Sequence, residues 1–114
     1  MDRPAAVALA ALVLGALGSA SAQDLEKGKR VYAAATPKCK TCHSIGGEGN
    51  PKGSLDGAGS RLQAEEIQAW LRTPKEATAR AKAGRKPPMP AYSKERISDA
   101  DLEALTAYLL SLDR

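Results

Sequence analysis

Phenylalanine is absent from this 114-residue chain, and aromatic residues amount to 4%: Trp70, Tyr32, Tyr92 and Tyr108. Small domains draw much of their burial from large apolar side chains. A chain this poor in them has a slight core, or a centre filled by something other than protein. Histidine occurs once, at His43, and cysteine twice, at Cys39 and Cys42. Those side chains fall short of the four Cys or His ligands of a structural zinc site. The longest apolar run, "PAAVALAALVLGALG", is about 14 residues, against the roughly 20 needed to cross a bilayer. The net charge of +4 is too small and too dispersed to argue for nucleic acid, though it favours acidic partners.

The apolar run follows Met1-Asp2-Arg3 and precedes "SASA", with small residues at Ala20 and Ala22. Basic, apolar and small-residue regions in that order make a secretory signal peptide. Residues 1–22 are therefore expected to be a cleaved leader, with a retained anchor as the competing reading. Residues 23–114 then form one domain.

Within that domain the signals are helical. "DLEKGKRVYAAA", 24–35, puts Leu25, Val31, Tyr32 and Ala35 on one face, with Asp24 as the expected cap and Thr36-Pro37 as the stop. Gly28 lies inside this helix, where glycine costs about 1 kcal/mol relative to alanine. A close helix crossing would explain it, with Leu105 and Tyr108 opposite. Residues 44–60 are glycine-rich and read as loop and turns. "AEEIQAWLR", 64–72, groups Ile67, Trp70 and Leu71. "KEATARAKAG" reads as a short helix ending at Gly84. The last helix starts at Ser98, with Asp101 in a capping-box-like position, and repeats Leu102, Leu105, Leu109 and Leu112 along one face. No convincing strand, internal repeat or second domain is visible. The expected fold is all-α, three to four short helices joined by long loops.

Cys39-Lys40-Thr41-Cys42-His43 is C-x-x-C-H, the attachment signature of c-type haem. Two thiols two residues apart match the two vinyl groups to which they add. A histidine immediately after the second thiol is placed to bind the iron. A thioredoxin-like redox pair would need a strand-helix-strand context, and a plain disulfide would leave His43 without a role. Met89 is the only methionine besides Met1, and it lies in "GRKPPMPAYS" between Pro87, Pro88 and Pro90. A thioether is a weak ligand for ferric iron, and prolines reduce the freedom of the unbound loop. Met89 is thus the candidate for the iron's second face.

With these residues in hand, 24–112 resembles a class I monohaem cytochrome c of the small bacterial type. The family pairs Gly-x-x-x-aromatic on its first helix (Gly28, Tyr32) with Leu-x-x-Tyr on its last (Leu105, Tyr108). "PPMPAY" is similar to its methionine loop, and Trp70 resembles an aromatic that packs near the haem. The resemblance implies a cytochrome c fold around one haem c, held by thioethers to Cys39 and Cys42, with His43 and Met89 as axial ligands. In many members Gly-Pro-Leu supplies the carbonyl that orients the histidine. Here Gly53-Ser54-Leu55 stands in its place, so the proline is lost, and Ser54 is the provisional choice of carbonyl.

The resemblance further implies a periplasmic electron carrier rather than an enzyme, passing one electron at a time between redox protein donors and acceptors. It could be a soluble shuttle or the cytochrome subunit of a membrane or periplasmic oxidoreductase. Lys38, Lys40, Lys52, Lys82, Arg85 and Lys86 are candidates for steering acidic surfaces. One of these, or Arg61, is a candidate for meeting the propionates. The rival class is an open-site haem protein, a gas sensor or peroxidase-like enzyme, in which Met89 would be absent from the iron or labile.

Overall fold

Ser21 opens the first helix. Its hydroxyl accepts the Asp24 N–H at 3.1 Å, and α1 runs over Ala22–Ala34. Asp24, the cap expected from sequence, instead occupies the first turn, where its carboxylate faces the positive end of the helix dipole. This computed structural model describes residues 21–84 and 86–113. The leader reading therefore lies outside the described residues, apart from Ser21 and Ala22, as does Arg85.

α1 stops before Thr36-Pro37. A 3-10 turn over Cys39–Thr41 follows, then a minimal antiparallel hairpin of β1 (Ser44–Ile45) and β2 (Glu48–Gly49) with Ser44 opposite Gly49. A second 3-10 turn covers Pro51–Gly53, and α2 is one turn, Ala58–Arg61. The stretch expected to be loop alone therefore holds a hairpin and a fifth short helix. Glycine permits both, because Gly46, Gly47, Gly49 and Gly57 all take positive φ.

α3 spans Ala64–Arg72, with the bounds expected from sequence. Its start is a capping box: Gln63 accepts from the Glu66 backbone, and Glu66 Oε1 accepts the Gln63 N–H at 2.8 Å. α4, Pro74–Ala81, begins on a proline, whose missing N–H costs nothing at that position. It ends at Lys82 in the left-handed conformation (φ 53°), ahead of the expected Gly84. α5 spans Asp99–Leu110, with the Ser98 hydroxyl accepting from Asp101 N–H at 3.1 Å.

The crossing of α1 and α5 dominates the packing. Gly28 is buried, and a Cβ there would lie 2.6 Å from Tyr108 Cβ and 2.8 Å from the Ala104 carbonyl carbon. The close partner on α5 is thus Ala104 backbone together with Tyr108. Leu105, expected at this contact, turns into the core, where it is 1% exposed. The Tyr32 and Tyr108 rings meet beside the crossing, centroids 6.3 Å apart and tilted by 59°. α2 closes the other end of α5: Gly59 N–H donates to Leu112 O at 2.6 Å and Ser60 Oγ to Asp113 O at 2.9 Å.

Ala35, Ile67, Leu71, Tyr92, Ile97, Leu102, Leu105 and Leu109 form the buried cluster, ringed by half-buried Tyr32, Cys39, Ile45, Leu55, Leu62 and Met89 among others. Cys39 and Met89, two of the side chains proposed for haem, thus border the core.

Candidate haem site

The Cys39–Thr41 turn tightens the motif: Cys42 N–H and His43 N–H both donate to Cys39 O, at 3.1 and 2.9 Å. Both cysteines are half-buried free thiols. Burial pushes the Cys39 thiol above its ordinary value.

His43 is oriented by the loop that follows. Its Nδ1 lies 2.9 Å from Gly53 O. A carbonyl only accepts, so Nδ1 carries the proton, and the ring lone pair sits on Nε2, the nitrogen suited to a metal. The carbonyl is that of Gly53 and not Ser54. Ser54 stands one residue beyond the 3-10 turn, and its hydroxyl accepts from Asp56 N–H at 3.2 Å.

Asn50 builds this arrangement, and sequence reasoning missed it. Its side-chain oxygen caps the Pro51–Gly53 turn by accepting Lys52 N–H at 3.0 Å, while its Nδ2 donates to Thr41 O at 3.1 Å. Its backbone N–H is shared between Lys40 O (3.1 Å) and His43 O (2.9 Å). One residue therefore ties the motif to the turn that presents Gly53. Asn-Pro, a turn-initiating pair, was the available signal.

The methionine side is assembled from farther away. Met89 is half-buried and packs against the core. Tyr92, 3% exposed, donates its N–H to Leu71 O at 2.8 Å and its hydroxyl to Pro37 O at 2.6 Å. Arg96 Nη1 donates to Thr36 O at 3.1 Å. The segment after Met89 is thereby stitched to the segment before Cys39. Pro37 offers a carbonyl but no N–H, so nothing in the one-dimensional pattern points to this pairing. Burial, then the charge of a Cys39 thiolate, push both Tyr92 and Tyr32 up to about 12.

Trp70 is half-buried and lines a cleft of about 160 Å³ with Glu66, Ala77, Arg80 and Ala81. α4 folds back beside α3, and the indole borders its Ala77 rather than joining the central cluster. Lys38, Lys40, Lys52, Lys82 and Lys86 are exposed. The Lys38 ammonium donates to Ala33 O at 3.2 Å, and Arg61 donates to Asp56 O at 3.4 Å.

One observation tests whether a haem suits these residues. Tyr32 Oη is buried with no hydrogen-bond partner among the described residues. Buried hydroxyls are normally satisfied, and this one belongs to the ring of side chains, Cys39 and Met89 among them, that borders the core. An additional group seated there would supply the contacts that this aromatic-poor core lacks. The donor set, two thiols, an oriented imidazole and a thioether, has the chemistry of c-type haem attachment and ligation.

These features define a small helical c-type haem protein. A family model for cytochrome c matches residues 25–113. The chain belongs to the cytochrome c family, which carries covalently bound haem c and serves haem-based electron transfer. No curated protein and no solved structure matches it significantly.

Proposed function

We propose that this cytochrome is an exported, periplasmic electron carrier and not an enzyme, with both iron faces occupied by protein. Cys39 and Cys42 hold the haem covalently, His43 Nε2 binds one face of the iron and Met89 sulfur the other. The haem supplies a one-electron ferric–ferrous couple. The chain keeps the ligands in place through the change of charge and denies the metal to water and small molecules.

The observation that carries this reading is the 2.9 Å bond from His43 Nδ1 to Gly53 O. It sets the ring's tautomer and pitch directly after a cysteine pair, which a structural histidine would not need. Met89, half-buried against the core in a proline-rich segment, is the thioether that remains for the opposite face. The exposed lysines around the motif suit brief encounters with acidic redox partners, either as a free shuttle or within an oxidoreductase.

The ferric holoprotein should show the long-wavelength charge-transfer band of methionine on haem iron, and Met89→Ala should abolish it. Rapid binding of carbon monoxide by intact ferrous protein at neutral pH would instead establish an open site. Export predicts that the periplasmic protein starts at Gln23 by mass. Recovery of the uncleaved chain in the membrane fraction would refute the leader.

A further inference from the structure

Arg72 is the last residue of α3, and its side chain is 20% exposed. Nη1 donates to two backbone carbonyls, Tyr92 O at 2.9 Å and Ile97 O at 2.8 Å, while Nη2 meets Asp99 Oδ1 at 2.9 Å. One guanidinium therefore joins the end of α3, the start of α5 and the segment leaving the methionine loop. Tyr92, which it grips, is also fastened through its N–H to Leu71 and through its hydroxyl to Pro37. Upstream the contrast is sharp. Among the described residues, no loop backbone hydrogen bond involves positions 84 or 86 to 91, between Ala83, whose N–H meets Thr78 O, and Tyr92. Met89 thus sits three residues from a threefold anchor, in a stretch whose described residues are held by prolines and packing.

We propose that Arg72 and Tyr92 form the latch that sets how long Met89 stays on the iron. Arg72 is a positioning residue. It touches neither methionine nor metal, and it acts by holding the Tyr92 backbone against α3. With the latch closed, the loop's fluctuations are confined to the short span before Tyr92. With it released, the next tie to the rest of the fold is Arg96 on Thr36 O, so the freer span reaches past Tyr92 and the thioether departs more often. Charged-donor hydrogen bonds are stronger than neutral ones, and a planar fork reaching two carbonyls and a carboxylate cannot be reproduced by a lysine ammonium. The inference rests on Met89 ligation as proposed above.

The test is the rate at which imidazole binds the ferric holoprotein. At saturating imidazole this rate reports opening of the methionine side. Arg72→Lys is expected to raise it by about tenfold or more, with the charge-transfer band weakened and the global unfolding rate in denaturant raised by less. Asp99→Asn removes the exposed ion pairs to Arg72 and Lys94 (Asp99 side chain 68% exposed) while leaving the two carbonyl bonds of Arg72, and should change the rate less than threefold. If Arg72→Lys yields no holoprotein, Tyr92→Phe cuts the bond to Pro37 while keeping the ring, and should raise the rate several-fold with little change in melting temperature. A rate within twofold of wild type in the variant that folds would overturn the latch. So would a rise no larger than that in global unfolding. A wild-type protein without the Met89-dependent band would overturn the ligation reading itself, a separate outcome read before any variant is made.

Discussion

Gly49 lies against the backbone of His43, the histidine proposed above to bind iron, and alanine at this position is the most informative small perturbation of the site. Two effects add. The residue sits at φ +114°, where a side chain is strained, and an added Cβ would lie 3.1 Å from both the His43 carbonyl carbon and Ser44 Cα, closer still to His43 O. Backbone strain of this kind costs about 1–3 kcal/mol. Forcing a methyl into packed backbone costs a further 1–3 kcal/mol or so. The sum, about 2–6 kcal/mol, corresponds to a fall in melting temperature of roughly 10–50 °C for a domain this size. Gly47 is the control, since it has φ +87° but nothing within 4 Å of the place an added methyl would take. Gly47→Ala carries the strain alone, so the gap between the two variants isolates the contact with His43. Thermal melts of both holoproteins by far-ultraviolet circular dichroism measure it. Equal losses in the two variants would refute the claim that β2 buttresses the histidine's backbone.

Two further expectations follow from packing and burial. Gly28→Ala gains about 1 kcal/mol of helix propensity but drives a methyl into Ala104 backbone and Tyr108, a contact at the upper end of the usual overpacking cost, about 2–3 kcal/mol, so it should be less stable by a net of about 1–2 kcal/mol. Gly84→Ala, which meets nothing within 4 Å, should be neutral; a Gly28→Ala protein as stable as wild type would rule out the close crossing. Tyr32 and Tyr92 have folded values near 12, above the ordinary 10. Below pH 10 both states keep the phenol protons and this contribution to stability is intact. As pH rises from 10 through 12 the unfolded chain loses them first, so stability falls across that window. Haem attachment removes the Cys39 charge and leaves burial as the main cause. Spectrophotometric titration of the folded holoprotein should therefore show these phenols ionising late, and Tyr92→Phe should remove one of them. Normal titration near pH 10 in the folded state would contradict their burial.

Local signals were legible where the chain's partners lie within a few residues. The bounds of α3 followed from apolar spacing and Thr73-Pro74, the Ser98 cap from its place three residues before Asp101, and the haem motif from five consecutive residues. Trouble began where backbone rather than side chain does the work. Gly28 and its partner Tyr108 were legible as a crossing, yet beside Tyr108 the close contact is the Ala104 main chain rather than Leu105, and main chain leaves no sign in residue type. The histidine's carbonyl was misplaced by one residue, because the choice depends on Asn50 capping a 3-10 turn. Arg72 carried no expectation from sequence. Its bonds to Tyr92 and Ile97 span 20 and 25 residues, and a carbonyl acceptor leaves no trace in sequence.

Ser54 connects these two kinds of result. A proline is lost here relative to the family's usual Gly-Pro-Leu, and a looser histidine loop was the natural inference. Yet Ser54 adopts φ −58° and ψ 131°, close to the conformation a proline ring would impose. Hydrogen bonds supply what the ring would have supplied: Asn50 caps the turn before it, Leu55 N–H holds Ser44 O at 2.8 Å, and the Ser54 hydroxyl receives Asp56 N–H. The histidine side is thus stiffened by bonds within a short stretch of chain, which reform as a unit if they break. The methionine side is stiffened by prolines, which act mainly by limiting the unbound loop, and by anchors beyond it, first at Tyr92 and then at Arg96. Loss of a single bond should therefore be tolerated better around His43 than around Met89. Of the two proposed iron ligands, Met89 is the one the surrounding chain holds less firmly, and under the proposed ligation the Arg72–Tyr92 contact is the point at which sequence changes would tune the site.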